Sequence, residues 1–163
     1  MTESRHRYQI EVRWTGNRGT GTAAYAGYGR DHEVLAPGKS RLAGSSDVAF
    51  RGDADRWNPE ELLVAALAQC HLLAYLHECV KEGVVVTGYR DQATGTMQTD
   101  PDGGGHFTEV TLHPVVTVAE AGMVERAQAM HDRAHHHCFI ASSVNFPVRH
   151  QPVAEVADMS APQ

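Results

Sequence analysis

Cysteine is scarce in this chain: Cys70, Cys79 and Cys138 stand far apart within 163 residues. An odd number at such spacing excludes a secreted disulfide scaffold. Long apolar runs are missing as well. The longest, Leu62 to Ala68, falls well short of the ~20 residues that a membrane-spanning helix needs. The opening MTESRHRYQIEVRW carries no apolar signal segment. Positive charge is outweighed, with 14 Lys and Arg against 20 Asp and Glu, a net charge of −6. That balance argues against nucleic acid, and against an anionic membrane surface, as the main partner. Internal repeats and low-complexity tracts are absent. The early glycines do not form a dinucleotide fingerprint, because strands rather than a helix follow them. The expectation is a soluble cytoplasmic protein.

What is present suits an ordinary globular fold. Apolar residues make up 42% and charged residues 21%. The length fits one domain, 1–163, with a real core. YQIEVRW alternates, which predicts a half-buried strand with Tyr8, Ile10, Val12 and Trp14 on one face. TGNRGTG reads as a turn, TAAYAGY as a second strand, and SRLAGSSDVAF contains a third. Asn58, Pro59 and Glu61 then announce a helix as N-cap, first position and capping box. From Leu62 to Ala68 that helix is apolar on every side, so it is expected to be buried. It ends near Glu82 and Gly83. VVVTGYRDQATGTMQT and HFTEVTLHPVVTVA read as two strands joined by a hairpin at DPDGGG. A second helix is expected from about Ala121 to Cys138. A short strand follows near Phe146 to Val148, and the last ten or so residues read as a frayed tail. The order βββ–α–ββ–α–β is an α+β architecture.

The first helix carries two of the three thiols. Nine helical steps put Cys70 and Cys79 roughly 180° apart around the axis and about 13 Å apart along it. A disulfide needs Cα atoms within ~7 Å, so these two cannot pair while the helix stands. Cys70 therefore acts alone or with Cys138, unless all three thiols are simply small core residues. As a nucleophile Cys70 must ionise, and it lies about three turns from the helix N-terminus, beyond reach of the dipole. A cation has to help. Arginine suits the task, since its charge is permanent and its fork can also pair with a carboxylate. Glu60 is available for that pairing, because Glu61 has the capping role.

NPEELLVAALAQC resembles the OsmC/Ohr family of peroxide-reducing proteins, in which Asn-Pro-Glu opens a central helix and a reactive cysteine follows ten residues after the glutamate. Glu60 and Cys70 have that spacing. RAHHHCFIASS, Arg133 to Ser143, is similar to the family's second motif and ends its helix at Cys138. The resemblance covers nearly the whole chain. It implies an intertwined homodimer with a buried central helix, active sites at the subunit interface, a small hydroperoxide as substrate, and neither metal nor cofactor. It also implies a cycle in which Cys70 becomes a sulfenic acid and then a disulfide with Cys138. An external dithiol, in the family often a lipoylated protein, reopens that bond. By family position the activating arginine is Arg30 in YGRDHEV, with Arg51 in AFRGD as its rival. Phe139, where the family often has proline, and His71 beside Cys70 depart from the common pattern.

Eleven histidines open other readings. His131 and His135 lie one turn apart, with His136, His137 and Cys138 after them. A zinc site is conceivable there, yet Asp132 is a methylene short of the usual base and no third ligand has a recognisable spacing. The cluster reads instead as a solvated or interface group. A cysteine hydrolase would need a histidine beside Cys70, and His71 projects ~100° away around the helix. A further alternative is an OsmC-like protein that binds a small apolar molecule without efficient peroxidase chemistry.

Overall fold

The computed structural model describes residues 4–157. The chain divides into two compact units, residues 1–62 and 63–163. In the first, β1 (Glu11–Trp14), β2 (His32–Leu35) and β3 (Leu42–Gly44) form an antiparallel sheet in that order. The register runs Glu11↔Leu35 to Trp14↔His32, then His32↔Gly44 to Val34↔Leu42.

TAAYAGY is not a strand. Asn17 accepts hydrogen bonds through Oδ1 from the N–H groups of Gly19 and Gly21. Both glycines take positive φ, and Gly27 N–H closes a turn on Ala24 O. This side-chain-built turn outcompetes ladder pairing. The face of the first strand is also more open than its alternation suggests. The strand starts only at Glu11, so Tyr8 and Ile10 lie before it; both are exposed, Tyr8 by 92%, as is Val12 on the strand itself. Three short strands provide no second layer of their own to cover it.

Helix α1 (Pro59–Lys81) begins as its sequence requires. Asn58 Oδ1 accepts from Glu61 N–H at 2.7 Å, and Glu61 Oε2 accepts from Asn58 N–H at 3.2 Å, a reciprocal capping box. Its end is a Schellman turn: Gly83 has φ +65°, and Val84 N–H reaches back to Cys79 O at 2.9 Å. By length and composition alone α1 also meets the criterion for a membrane-crossing helix, one that core helices meet as well, although its longest uninterrupted apolar run is only Leu62 to Ala68. Between Leu62 and Ala68 only Leu67 is fully buried, the others being half-buried, so the expectation of burial on every side is corrected.

The second unit holds β4 (Val86–Asp91), β5 (Thr94–Thr99), β6 (Gly105–Leu112), β7 (Pro114–Val118), α2 (Val124–His136), β8 (Val148–His150) and β9 (Val153–Val156). Each expected long strand is two strands. The breaks at Gln92–Ala93, His113 and Gln151–Pro152 fall at one level of the pairing, between Asp91↔Pro114 and Thr94↔Thr111. Asp91 Oδ1 takes the His113 N–H at 2.7 Å there, and Gln92 O bonds His113 Nδ1 at 3.0 Å. Pro114 has no N–H to continue a ladder. The results are two sheets, β4-β7-β9 and β5-β6-β8, with β8 and β9 joining in parallel. The hairpin at residues 100–104 is as expected, closed by Asp100 N–H on Gly104 O. The second helix is shorter than its expected span and stops at His136, so Cys138 lies beyond it. The observed order is βββ–α–ββββ–α–ββ. Of the tail expected to fray, residues 154–156 belong to strand β9 instead, and residues 158–163 lie outside the described residues.

Two clusters form the core of this unit. Tyr75 and Cys79 of α1 pack with Ala127, Met130 and Ala134 of α2 and with Val116 and Val118 of β7. Leu67 packs with Val110 and Leu112, flanked by Phe107, Phe146 and Ile140. Completely burying a side chain such as Leu67 contributes about 1.5–3 kcal/mol.

Candidate active site

Cys70 and Cys138 come together. Cys70 is half-buried, near the middle of α1, and Cys138 is buried just past the end of α2. The two thiols are near enough for Cys70 to act on the ionisation of Cys138. Ala141 N–H donates to Cys138 Sγ at 3.4 Å, and Ser142 donates to Cys138 O through both its N–H and its hydroxyl. Burial, followed by the Cys70 thiol, pushes the Cys138 thiol up to about 11. Cys138 is thus protonated near neutral pH. Cys79 is on the other side of α1, in the core beside Tyr75, and burial raises its thiol too.

Cys70 opens onto a cavity of about 480 Å³. Leu73, Ala74 and Phe139 give it apolar walls, and His77, Glu78, Lys81 and His137 line it as well. Leu73 and Phe139 are strongly exposed, at 66% and 82%. Residues 70, 74, 77 and 81 follow the 3.6-residue period, so one stripe of α1 forms the cavity floor.

Two buried polar groups tie α1 to the α2 region. Glu78 is the only carboxylate between Glu61 and Glu82, and its side chain is 2% exposed. Lys81 Nζ donates to both its oxygens at 2.9 and 3.1 Å, Arg133 Nε lies at 3.0 Å and His137 Nδ1 at 3.1 Å. The Lys81 hydrogen bonds hold the Glu78 carboxyl below its usual range against the opposing pull of burial. Arg133 also pairs with Glu82. The second group is neutral. His71 and His131 are fully buried and share a hydrogen bond, Nε2 to Nδ1, at 3.0 Å. Tyr75 stacks on His131 at 4.0 Å and donates its hydroxyl to Ala127 O. His150 lies near both rings and bonds Asp132 at 2.9 Å. Burial, then the neighbouring imidazoles, lowers His71 to about 4 and His131 to about 3.

The expected solvated histidine cluster is therefore corrected at His131, which is core, while His136 and His137 are exposed. His131 and His135 do not act together: His131 bonds His71, and the His135 ring lies 5.4 Å from that of His150. Among the described residues, no three His, Cys, Asp or Glu side chains are grouped to hold a metal ion.

Glu60 stands in the first turn of α1, half-buried. Arg30 donates to Tyr28 O at 2.7 Å and Tyr25 O at 3.0 Å, with its guanidinium over both rings. Arg51, with φ +65°, brings its guanidinium within 5.8 Å of the same Tyr25 ring. The two rival arginines thus share one aromatic neighbour. Sequence reasoning missed Glu78 and the His71–His131 bond. A lone carboxylate in an apolar helix was the available signal for the first, since such a group requires cations once buried.

A family model described as OsmC-like protein matches residues 52–152. Among solved structures, an OsmC-like protein of unknown function from Vibrio cholerae is 27% identical, with a TM-score of 0.81 over 91% of this chain and 100% of its own. Organic hydroperoxide resistance proteins from Elizabethkingia anophelis and Bacillus subtilis share 18% identity each, with TM-scores of 0.66 and 0.60. They cover 94% and 92% of this chain, and 100% and 98% of their own length. At that identity they show the fold alone. No curated protein matches the chain.

Proposed function

The chain belongs to the OsmC-like protein family, and from that premise we propose that it is a thiol-dependent peroxidase acting on organic hydroperoxides. The single observation that carries the reading is the approach of the Cys70 and Cys138 thiols beside an apolar-walled cavity. The Cys70 thiolate attacks the outer oxygen of the hydroperoxide. The O–O bond breaks, Cys70 becomes a sulfenic acid, and the departing alkoxide takes a proton to leave as an alcohol. The sulfur of Cys138 then displaces the hydroxyl of the sulfenic acid, forming the disulfide and water. An external dithiol restores both thiols by exchange, and a lipoylated protein fits that chemistry.

Arg30 is assigned the cation that ionises Cys70, with Glu60 as its carboxylate partner and Arg51 as the competing candidate. An intertwined homodimer is the assembly in which the cycle runs. The apolar walls favour organic hydroperoxides over hydrogen peroxide.

The test is consumption of cumene hydroperoxide by the purified protein supplied with a dithiol. Turnover that disappears in Cys70→Ser supports the reading, and no turnover in the wild type ends it. Arg30→Met and Arg51→Met, assayed side by side, assign the cation to whichever loss slows the first step. One observation favours a second reading, a small-molecule binder: the cavity is present with both thiols free. Binding of an apolar ligand without turnover would select it.

A further inference from the structure

We propose that Glu78 is a positioning residue for the disulfide step: by holding His137 and Arg133 it keeps Cys138 facing Cys70. The inference rests on the two-cysteine reading above. Cys138 stands outside α2, so helical hydrogen bonds do not fix it. Its remaining backbone ties are local. His137 N–H bonds Arg133 O and Ala134 O, Cys138 N–H bonds His135 O, and Ser142 N–H bonds Cys138 O. None of these reaches α1, the element that carries Cys70. The contacts of Glu78 do. Its carboxylate takes Nδ1 of His137, the residue directly before Cys138, and Nε of Arg133, one turn earlier. Glu78 also lines the cavity with Cys70, two helical turns along the same helix.

The chemistry gives that tether a purpose. The disulfide forms only if the Cys138 sulfur meets the Cys70 sulfenic acid in line, and a displacement near 1 Å can slow an oriented step by about a hundredfold. Both Cα atoms must also come within ~7 Å. A buried carboxylate holding two side chains of the Cys138 segment is a stiff tether, because releasing either one leaves charge poorly compensated in the interior. Lys81, on α1 itself, completes the pairing but does not hold Cys138. Its role is to keep Glu78 ionised.

The test separates the two thiols. Reduced protein is oxidised with diamide, which takes two hydrogens from the thiol pair and needs no peroxidase activity. Disulfide formation is followed by mass spectrometry. The reactivity of Cys70 alone is measured by iodoacetamide alkylation in a Cys138→Ser background. Glu78→Gln is expected to slow disulfide formation by about ten- to a hundredfold while Cys70 alkylation stays within about twofold. His137→Gln, at an exposed position, is expected to slow it by a smaller factor of about three- to tenfold. Purely structural damage would not split the two rates. Disulfide formation at the wild-type rate in Glu78→Gln, or an equal fall in Cys70 alkylation, overturns the proposal. If Glu78→Gln does not fold, His137→Gln decides, and an unchanged rate there overturns it. A protein that forms the disulfide with diamide but consumes no cumene hydroperoxide refutes the peroxidase reading and leaves this inference standing.

Discussion

Cys70 and Cys79 share one helix and little else. Cys79 is packed in the core between Tyr75 and the strands, with its thiol raised by burial. Cys70, on the opposite side, meets a second thiol and an open cavity. The same contrast runs along the whole of α1. Leu67, His71, Tyr75 and Cys79, spaced by four, form the buried stripe, while Leu73, Leu76 and Val80 are exposed. Buried cysteine is common and inert, and what marks a chemical thiol is company and access. Exchanging the two thiols in turn should break the molecule differently. Cys70→Ser is expected to abolish hydroperoxide consumption with the fold retained, measured by peroxide assay and circular dichroism. Cys79→Ser is expected to keep turnover within about twofold and to cost ~1–2 kcal/mol of stability, because a hydroxyl enters an apolar site. Lost turnover in Cys79→Ser alone would reverse the assignment.

The two stripes of α1 should also differ in what they contribute to stability. Leu67→Ala removes a fully buried side chain and is expected to cost about 2–5 kcal/mol in urea unfolding. Leu73→Ala, at 66% exposure in this chain, is expected to stay within ~0.5 kcal/mol. A large loss at Leu73 would mean that its face is covered in solution, as the proposed homodimer could do, and the loss should then depend on protein concentration.

Much of this contrast was legible in the sequence. Cap, first turn and terminating glycine of α1 are local signals, and local chemistry decides them: Asn58 with Glu61, then Gly83. The opposite placing of Cys70 and Cys79 follows from helical geometry alone. What stayed hidden depends on residues far apart in the chain. His71 and His131 are sixty positions apart, and nothing local announces their bond. Glu78 acquires Arg133 and His137 only once α2 has docked. The strand breaks at Gln92 and His113 came from a shared corner, whereas the periodicity continues through them. TAAYAGY failed for another reason: Asn17 builds a turn through its side chain, which the alternation in the next residues cannot reveal.

The buried polar pairs on α1 sharpen the comparison through pH. His71 and His131 are both depressed, so the unfolded chain, with histidines near 6.5, takes up protons before the folded one does. Their contribution to stability is complete above pH 6.5, falls as the pH drops through the window from 6.5 towards 4, and levels off below about 3. A depression of His71 to about 4 corresponds to ~3 kcal/mol lost across that window. Glu78 is also depressed, so its contribution is lost at lower pH, below the ordinary carboxylate range. Urea unfolding at pH 7, 5.5 and 4.5 should show the histidine-linked decline first. His131→Phe should flatten it, and an unchanged slope in that variant would assign the decline to other groups.

A smaller effect than that of the buried stripe lies at the start of the helix, before either stripe begins. Asn58 accepts the Glu61 N–H, and Glu61 returns the contact to the Asn58 N–H. Asn58→Ala leaves a first-turn donor without its side-chain partner and should cost ~1 kcal/mol. Glu61→Gln should cost less than that, because glutamine can also accept the Asn58 N–H in a capping box while only the charge facing the helix dipole is lost. Cys70 is three turns away, beyond the reach of the dipole, so neither change should alter its rate of reaction with cumene hydroperoxide by more than about twofold. Stopped-flow rates on the two variants check this. A tenfold fall in Glu61→Gln with unchanged stability would give Glu61 a part in the chemistry and take the helix start out of its purely structural role.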